Sequence, residues 1–549
     1  MSEMLQSVNL ASTRNVRIKT SMAKFILVYS LYFGFILNTP ITSRLIDITA
    51  GTDSWLFVYT APIILSAAFV IIFSLFAIPY LIKPLFIILA LTSATASYAT
   101  TKYGVIFDYS MIENIFETHT SEAISYVNAS SIAYFFFAGV IPAVLIVLVK
   151  FDTSAPLKRR VFKRAGLLIS AVVILGLIAG LFYKDYASVG RNNAYLNKLI
   201  VPTHVYYSYK YINKTFFTEP LVYKEQGNDA TLAKAANGKP TLMVLVVGET
   251  ARSMNIGYNG YARNTNPYTQ DMGIISFKNV ASCGTATAHS LPCMFSNLNR
   301  NGYDKARANA QDDALDVLAY ANVSLLWKEN DGGDKAVAKS IAKITIDPTQ
   351  YNDVCDGSVC DDMVMLKEFD NEVAELKDDK LIAMHIIGSH GPTYWKRYPP
   401  EHALFKPSCN QSDIENCTDQ SIVNVYDNTI AYTDYVIAET IKKLQGYSDQ
   451  YNVALMYISD HGESLGESGL YLHGTPYSLA PEEQTKVPLF MWVPEQYANA
   501  KGIDKSCLID KANNGSFSQD NFFHTLISFY GVESSVVNED LDIMNTCRI

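Results

Sequence analysis

Long apolar runs occupy the first third of the chain, and short apolar runs alternate with polar stretches over the rest. A helix needs about 20 apolar residues to cross the hydrocarbon core of a bilayer. Five runs approach that length, and we predict that each crosses a membrane. Within a few residues, they are Ala23–Leu37, Trp55–Ile78, Leu85–Thr101, Ile132–Val149 and Ala165–Tyr183.

Basic residues predict the orientation of these spans. They cluster before or at the start of the first span and in the loop between the fourth and fifth, so both segments are expected in the cytoplasm. The two groups are Arg14, Arg17, Lys19 and Lys24, and Lys150, Lys158, Arg159, Arg160, Lys163 and Arg164. An odd number of spans then places the loop Tyr103–Asn128 and everything from Lys184 onward on the outer side.

The pattern changes after the fifth span. The segment Asn192–Phe217 mixes tyrosines with lysines, which favours a membrane interface, and Lys224–Lys239 has the composition of a linker. Short apolar runs then alternate with helical spacing, which predicts a mostly parallel sheet flanked by helices. The predicted strands are Leu242–Val247, Val323–Trp327, Leu381–Ile387, Val453–Ile458 and Val487–Val493. We predict a transmembrane domain over residues 1–184, an interfacial helix and linker over 185–238, and an α/β domain over 239–549.

All eight cysteines lie in the predicted outer domain, in close pairs, which indicates disulfides in an oxidising compartment. Nearest-neighbour pairing would join Cys283 to Cys293, Cys355 to Cys360, Cys409 to Cys417 and Cys507 to Cys547. Scattered thiols and a zinc ribbon are the alternatives, although no Cys-x2-Cys spacing occurs. The net charge of −9, without a broad basic surface, argues against nucleic-acid binding.

Polar residues follow four of the predicted strands, at the edge where α/β sheets bind their ligands. They are Glu249; Asn330, Asp331 and Lys335; Ser389–Pro392; and Asp460–Glu463. Glu249, Asp460 and His461 offer two carboxylates and an imidazole, a donor set that suits zinc. By contrast, His385 lies within an apolar strand, and we expect it to be a buried core histidine.

The loop from Cys283 to Cys293 contributes candidate nucleophiles. A nearby dication lowers the pKa of a hydroxyl and makes it reactive, so the pattern predicts metal-dependent transfer or hydrolysis of phosphate or sulfate esters. Spacing does not choose among the four hydroxyls, which belong to Ser282, Thr285, Thr287 and Ser290.

In the outer loop, Asn114, Thr118 and Glu122 recur every four residues and would share one face of a helix. That face is either a solvated surface or a strip that binds a lipid headgroup. Spacing alone favours the solvated surface.

Together these residues resemble the lipid A phosphoethanolamine transferases, a family of the alkaline phosphatase superfamily that includes the mobile colistin-resistance enzymes. The resemblance covers both the membrane part and the outer domain. It rests on the strings VGETAR (Val247–Arg252), NGYARNTNP (Asn259–Pro267), CGTATA (Cys283–Ala288) with PCMFS (Pro292–Ser296), and SDHGE (Ser459–Glu463).

The resemblance implies a role for each matched position. Thr287 corresponds to the family's nucleophile and, with Glu249, Asp460 and His461, to its zinc ligands. Substrate-binding positions of the family fall on Asn114, Thr118, Glu122, Lys335, His390 and His473. The two histidines are alternatively ligands of a second metal. Asp331 and Gly332 stand where some members have asparagine and serine.

The implied protein is an inner-membrane enzyme, a monomer with a periplasmic catalytic domain. It would move phosphoethanolamine from phosphatidylethanolamine to a lipid A phosphate through a phosphothreonine-type intermediate, and so give resistance to polymyxins. The main alternative is a phosphoethanolamine or phosphoglycerol transferase acting on a core sugar or another envelope glycan. A membrane receptor or transporter with an inactive domain is a further alternative. A sulfatase is disfavoured because the loop lacks the Cys/Ser-x-Pro-x-Arg pattern.

Overall fold

The computed structural model describes residues 17–50, 56–118, 120–193, 195–357 and 359–549, without the side chains of Ser121, Glu122 and Glu415. Its chain divides into two compact units. One comprises Met1–Thr101 and Ala129–Tyr206, and the other comprises Lys102–Asn128 and Tyr207–Ile549. The predicted boundaries at residues 184 and 238 follow composition and stay a prediction. Arg14 and Trp55 lie outside the described residues.

Within the described residues, four helices of the first unit are long and apolar enough to cross a membrane, or five if a bent pair forms one span. The four are Leu56–Leu75, Ile82–Tyr103, Ala129–Leu148 and Leu157–Asn192. The bent pair is Met22–Leu37 and Thr39–Thr49, which meet at 48°. Pro40 stands at the start of the second helix of this pair, where proline is tolerated only because it begins a new helix.

Aromatic side chains pack between the helices of this unit. The Tyr29 ring stacks on Phe86, with centroids 4.6 Å apart, and contacts Phe33 and Phe73 at 4.8 and 5.1 Å. Its hydroxyl donates a hydrogen bond of 2.7 Å to the Phe86 carbonyl, so a polar group inside an apolar helix bundle is satisfied.

An eight-stranded sheet forms the core of the second unit. The strands are β1 Thr241–Gly248, β2 Ile274–Ala281, β3 Ser324–Glu329, β4 Ala342–Thr345, β5 Lys380–His385, β6 Asn452–Ser459, β7 Lys486–Trp492 and β8 Phe517–Ser518. Their order is β8-β2-β7-β6-β1-β5-β3-β4, and only β7 runs antiparallel to its neighbours. The prediction of a mostly parallel sheet is confirmed.

Helices flank this sheet, and the longest, Asp419–Gly446, buries the predicted apolar positions Ile430, Ile437, Ile441 and Leu444. Two further helices, Tyr109–Glu117 and Thr120–Ser125, lie in the 102–128 segment, and the segment that we predict to be interfacial contains the helix Thr203–Phe216. The remaining α-helices from residue 287 onward are Thr287–Met294, Lys305–Asn309, Ala314–Tyr320, Phe369–Glu375, Glu482–Thr485, Glu495–Lys501, Lys505–Asn514 and Phe522–Tyr530.

Four disulfides staple the second unit, and all four nearest-neighbour pairings are confirmed. They join Cys283 to Cys293, Cys355 to Cys360, Cys409 to Cys417 and Cys507 to Cys547. The first of them closes the hydroxyl-rich loop at the edge of the sheet.

Candidate active site

The two central strands bring Glu249 and Asp460 to one edge of the sheet. Gly248, the last residue of β1, pairs with Ser459, the last of β6, and the Asp460 amide donates to the Gly248 carbonyl at 3.0 Å. Because the strands are parallel and in register, the next residue of each leaves at the same place. Thr250 then has a left-handed φ of 52°, which is rare for a β-branched residue and turns the chain away behind Glu249.

Hydrogen bonds leave the metal-ligating atoms of this cluster free. Asp460 Oδ1 accepts from the backbone amides of His461 and Thr250, and Asp460 Oδ2 has no hydrogen-bond partner among the described residues. His461 Nδ1 lies 2.9 Å from the Gly462 carbonyl, so Nδ1 carries the proton and Nε2 keeps its lone pair. That Nε2 lies 3.3 Å from Asp460 Oδ2 and 3.5 Å from Glu249 Oε1.

Thr287 is the loop hydroxyl that reaches this cluster. Its Oγ1 lies 3.0 Å from Glu249 Oε2 and 3.4 Å from His461 Nε2. Thr285 instead donates to the Thr475 carbonyl at 2.6 Å, and Ser282 donates to the Gly284 carbonyl. Thr287 is also the first residue of a helix, where backbone amides lack helical partners and favour an anion such as a phosphoryl group.

A glutamine ties the loop to the end of the strand. The Gln519 side chain accepts from the Cys283 amide at 2.6 Å and donates to the carbonyls of Ser459 and Asp460 at 2.8 and 2.7 Å. This fully bonded amide fixes the distance between the candidate nucleophile and its ligand strand. The sequence carries no signal for Gln519, because it lies 60 residues beyond the strand that it holds.

The donor set of Glu249, Asp460 and His461 fits a zinc ion. The three residues are fully buried, and their ligand atoms lie within 4.8 Å of one another. Burial raises the pKa of Glu249 well above its usual value, and the charges of Asp460 and Asp331 raise it further, so the ionised cluster requires a compensating cation. Burial lowers the pKa of His461, which favours the neutral imidazole that a metal requires.

Two more histidines approach the cluster from neighbouring loops. The rings of His461 and His473 are 4.6 Å apart, and those of His390 and His473 are 5.6 Å apart. Glu463 fixes His473, because it accepts from Nδ1 at 2.9 Å and from the Tyr394 hydroxyl at 2.6 Å. His473 therefore presents Nε2 as its free nitrogen.

A narrow cavity opens beside Thr287, lined by Asn114, Glu117, Thr118, Thr287, Asp331, Gly332, Lys335, His390 and His473. It thus brings together six of the predicted site residues. The expectation of one continuous helix for Asn114, Thr118 and Glu122 was wrong, because the helix ends at Glu117 and Thr118 is extended. The side chain of Glu122 lies outside the described residues.

Lys335 is held at the cavity wall. Its Nζ donates to the carbonyls of Glu117 and Gly332, both at 3.1 Å. Its φ of 46° is left-handed, as is that of Ala336, so the turn after β3 aims this side chain.

A second group of buried polar residues adjoins the first. His385 is buried, as expected, but it is not an isolated core histidine, since its Nδ1 lies 3.0 Å from Glu329 Oε2. Burial opposes ionisation of His385, yet the charges of Glu329 and Asp331 raise its pKa to about 9. Glu249, Asp331 and His385 form a second set of candidate ligands. The sequence signal that could have identified Glu329 as a site residue is its position at the carboxyl end of a strand.

Comparisons with known proteins agree across both units. A family profile described as Sulfatase matches residues 241–532, and one described as Phosphoethanolamine transferase EptA/EptB matches residues 65–216. Phosphoethanolamine transferase EptA of Escherichia coli K12 is 35% identical over 96% of this chain and 97% of its own length. Phosphatidylethanolamine transferase Mcr-1 of Escherichia coli is 35% identical over 87% of this chain and 91% of its own.

A solved structure resembles the whole chain. It is the integral membrane protein lipooligosaccharide phosphoethanolamine transferase A from Neisseria meningitidis, which is 34% identical. The TM-score is 0.91, and the match covers 96% of this chain and 99% of the other.

Proposed function

We propose, from the premise that this chain belongs to the EptA family of phosphoethanolamine transferases, that it moves phosphoethanolamine from phosphatidylethanolamine to a phosphate of lipid A. The observation that carries the proposal is the position of Thr287 Oγ1, 3.0 Å from a buried carboxylate and at the wall of a polar cavity. The names of two relatives support the two substrates, since one is a phosphatidylethanolamine transferase and another a lipooligosaccharide phosphoethanolamine transferase.

Glu249, Thr287, Asp460 and His461 would hold a zinc ion. When bound, it lowers the pKa of a neighbouring hydroxyl and offsets negative charge that develops on phosphate oxygens. The free oxygens of Glu249 and Asp460 and the neutral His461 support this assignment. Zinc suits one imidazole with carboxylates better than magnesium, which prefers an all-oxygen set.

Thr287 acts as the nucleophile in the proposed reaction. In the first step Oγ1 forms a bond to phosphorus as the bond to the diacylglycerol oxygen breaks, and that oxygen leaves with a proton as diacylglycerol. In the second step an oxygen of a lipid A phosphate attacks the same phosphorus, and the bond to Oγ1 breaks to restore the threonine. His390 and His473 line the cavity and are candidates for moving these protons.

The other cavity residues would hold the donor. Lys335 places a positive charge where a phosphate enters, and Asn114 and Thr118 add polar atoms to the lining of the same cavity. Glu122 remains a candidate by resemblance only.

The chain is an integral membrane protein with a periplasmic catalytic domain, so both lipid substrates lie within the same compartment. We propose that it acts as a monomer. Each transfer would add an ammonium group to lipid A, so the membrane surface becomes less anionic and attracts cationic peptides such as polymyxins less strongly.

Lipid mass spectrometry tests this proposal. We expect that a Gram-negative host lacking such an enzyme gains phosphoethanolamine on lipid A and resists polymyxin when it expresses the chain. The Thr287→Ala variant, at equal abundance in the membrane, should give neither change. Phosphoethanolamine or phosphoglycerol on core sugars or glucans, with unmodified lipid A, would contradict the acceptor and support the alternative substrate.

A further inference from the structure

A second metal-binding arrangement lies directly behind the first. Glu249, Asp331 and His385 present ligand atoms that all lie within 4.8 Å of one another. Glu249 belongs both to this set and to the set with Asp460 and His461. We propose that Glu249, Asp331 and His385 bind a second divalent cation, which Glu249 bridges to the first.

His385 has the geometry of a metal-ligating histidine. Its Nδ1 lies 3.0 and 3.1 Å from the two oxygens of Glu329, so the Nδ1 proton points to that carboxylate. The Nε2 atom makes no hydrogen bond with any described residue and lies 3.7 Å from Asp331 Oδ2. A carboxylate on one nitrogen and a metal on the other is the usual way in which proteins orient a ligating imidazole.

Hydrogen bonds hold the Glu329 carboxylate in place, and Glu329 in turn fixes the orientation of His385. One oxygen accepts from the amides of Asp331 and Gly332, both at 2.9 Å, and the other accepts from Trp327 Nε1 at 2.9 Å. These hydrogen bonds hold the carboxylate in place as the partner of His385 Nδ1.

Among the described residues, the ion-pair partners of Asp331 are the histidines His385 and His390, and Glu249 faces His461. Glu249 is fully buried, and its Oε1 makes no hydrogen bond with the described residues. The side chain of Asp331 is 5% exposed. The nearby ammonium group of Lys335 is directed at two carbonyls. Buried carboxylates in this arrangement are costly unless a cation joins them.

The site would take a small divalent cation of the zinc or manganese class, because it offers one imidazole nitrogen and two carboxylate groups. Ions that share a carboxylate lie about 3.5–4 Å apart in two-metal enzymes. The cation would fix Glu249 and reduce the negative charge beside Thr287. This role rests on the proposed function, but binding of the cation does not.

A site on the two outer histidines is the competing arrangement. His390 Nδ1 lies 3.4 Å from Asp331 Oδ1, and His473 is engaged through Nδ1 by Glu463. Because Asp331 lies near both arrangements, they are separated by the variant of His385, which belongs to one, and by the double variant of His390 and His473, which form the other.

Metal stoichiometry of the full chain in detergent provides the test. The protein is stripped with a chelator, reloaded with Zn²⁺ at a buffered free concentration and analysed by mass spectrometry of the metal. We expect two ions per chain in the parent protein and one in Asp331→Asn, which keeps the shape of the side chain but removes its charge. His385→Gln should also bind one ion, and the double variant His390→Asn/His473→Asn should keep two.

One ion in the parent protein would overturn the proposal, as would two ions in Asp331→Asn with one in the double variant. Circular dichroism first establishes that each variant is folded. If His385→Gln does not fold, anomalous scattering at the zinc edge from crystals of the parent protein decides independently: a peak beside His385 Nε2 supports the site, and its absence from fully loaded crystals refutes it. Lipid modification is measured in a separate experiment. The proposed transferase activity and the proposed second cation site can therefore be refuted independently.

Discussion

At the scale of single residues, hydrogen bonds distinguish two threonines that the sequence leaves equivalent. Thr285 and Thr287 stand two positions apart in the same loop, and only family resemblance favours the second. The structure turns the Thr285 hydroxyl to a backbone carbonyl and the Thr287 hydroxyl to Glu249 and His461. The two hydroxyls point in different directions because the local φ and ψ angles differ, and these angles cannot be read from residue spacing.

Replacing each threonine in turn should therefore give different results. We expect Thr287→Ala to lower the rate of transfer by roughly a thousandfold or more, because the nucleophile is lost. Thr285→Val should cost about 1 kcal/mol of stability through one lost hydrogen bond and change the rate less than tenfold. Measured rates with a fluorescent phosphatidylethanolamine check both values. Loss of activity in Thr285→Val alone would contradict the assignment.

Glu463 should matter through His473. Glu463→Gln retains the volume but replaces one acceptor oxygen with a donor, so it cannot accept from both Tyr394 and His473. We expect kcat to fall about 10–100-fold and the pH–rate profile to shift as His473 loses its fixed tautomer. Glu467→Gln, which loses an ion pair with Arg252, is the matched control. An unchanged pH profile in Glu463→Gln would exclude this positioning role.

At the scale of elements, the Cys283–Cys293 disulfide closes the loop that holds Thr287. A link over a separation of 10 residues stabilises a protein by about 2–3 kcal/mol in the chain-entropy account. We expect Cys283→Ser/Cys293→Ser to lower both stability and kcat. Cys507→Ser/Cys547→Ser should lower stability without a comparable loss of kcat. Equal effects of the two double variants on kcat would indicate that catalysis does not depend on the Cys283–Cys293 disulfide.

Helix Phe522–Tyr530 carries a histidine that should respond to acid. His524 Nδ1 accepts from the Asn538 amide at 3.0 Å, and burial lowers the pKa of His524 to about 4. The unfolded chain binds the proton first as pH falls from about 6.5 to 4, so the folded state loses stability over this window. We expect His524→Asn, which keeps an acceptor, to reduce that loss by at most about 3 kcal/mol. Thermal unfolding of both proteins in detergent between pH 7 and 4 measures this difference in stability. If stability falls equally with pH in the parent protein and in His524→Asn, the prediction is refuted.

The sequence predicts elements well where their apolar runs are continuous. The five central strands are confirmed for this reason, whereas in Ile274–Ala281 buried positions are interrupted by half-buried or exposed ones, and Ala342–Thr345 is exposed on an edge. The break at Thr118 was missed because a four-residue repeat does not report where a helix ends. Contacts such as Gln519 with Cys283 join residues 236 apart and exist only in the folded chain.

At the scale of the whole molecule, the basic residues between the membrane spans set the membrane topology. The same residues thereby place the cysteines in the compartment where disulfides form. We expect a periplasm-active reporter fused after Ile549 to be active and one fused after Pro156 to be inactive, because the basic loop stays in the cytoplasm. Neutral replacement of the basic residues at 158–160 should weaken this difference. Enzyme activity of each fusion, normalised to its abundance, measures it. An active fusion after Pro156 would require a different number of spans.

The order of the disulfides along the chain has a consequence for biogenesis. Each bond joins a cysteine to the next one in sequence, over separations of 10, 5, 8 and 40 residues, so no bond encloses another. During export from the amino-terminal side, each cysteine meets its partner before a competitor emerges. An oxidase that couples cysteines in order of arrival thus produces the native set out of 105 pairings. Assembly of this protein should depend on a periplasmic oxidant and be indifferent to loss of a disulfide isomerase.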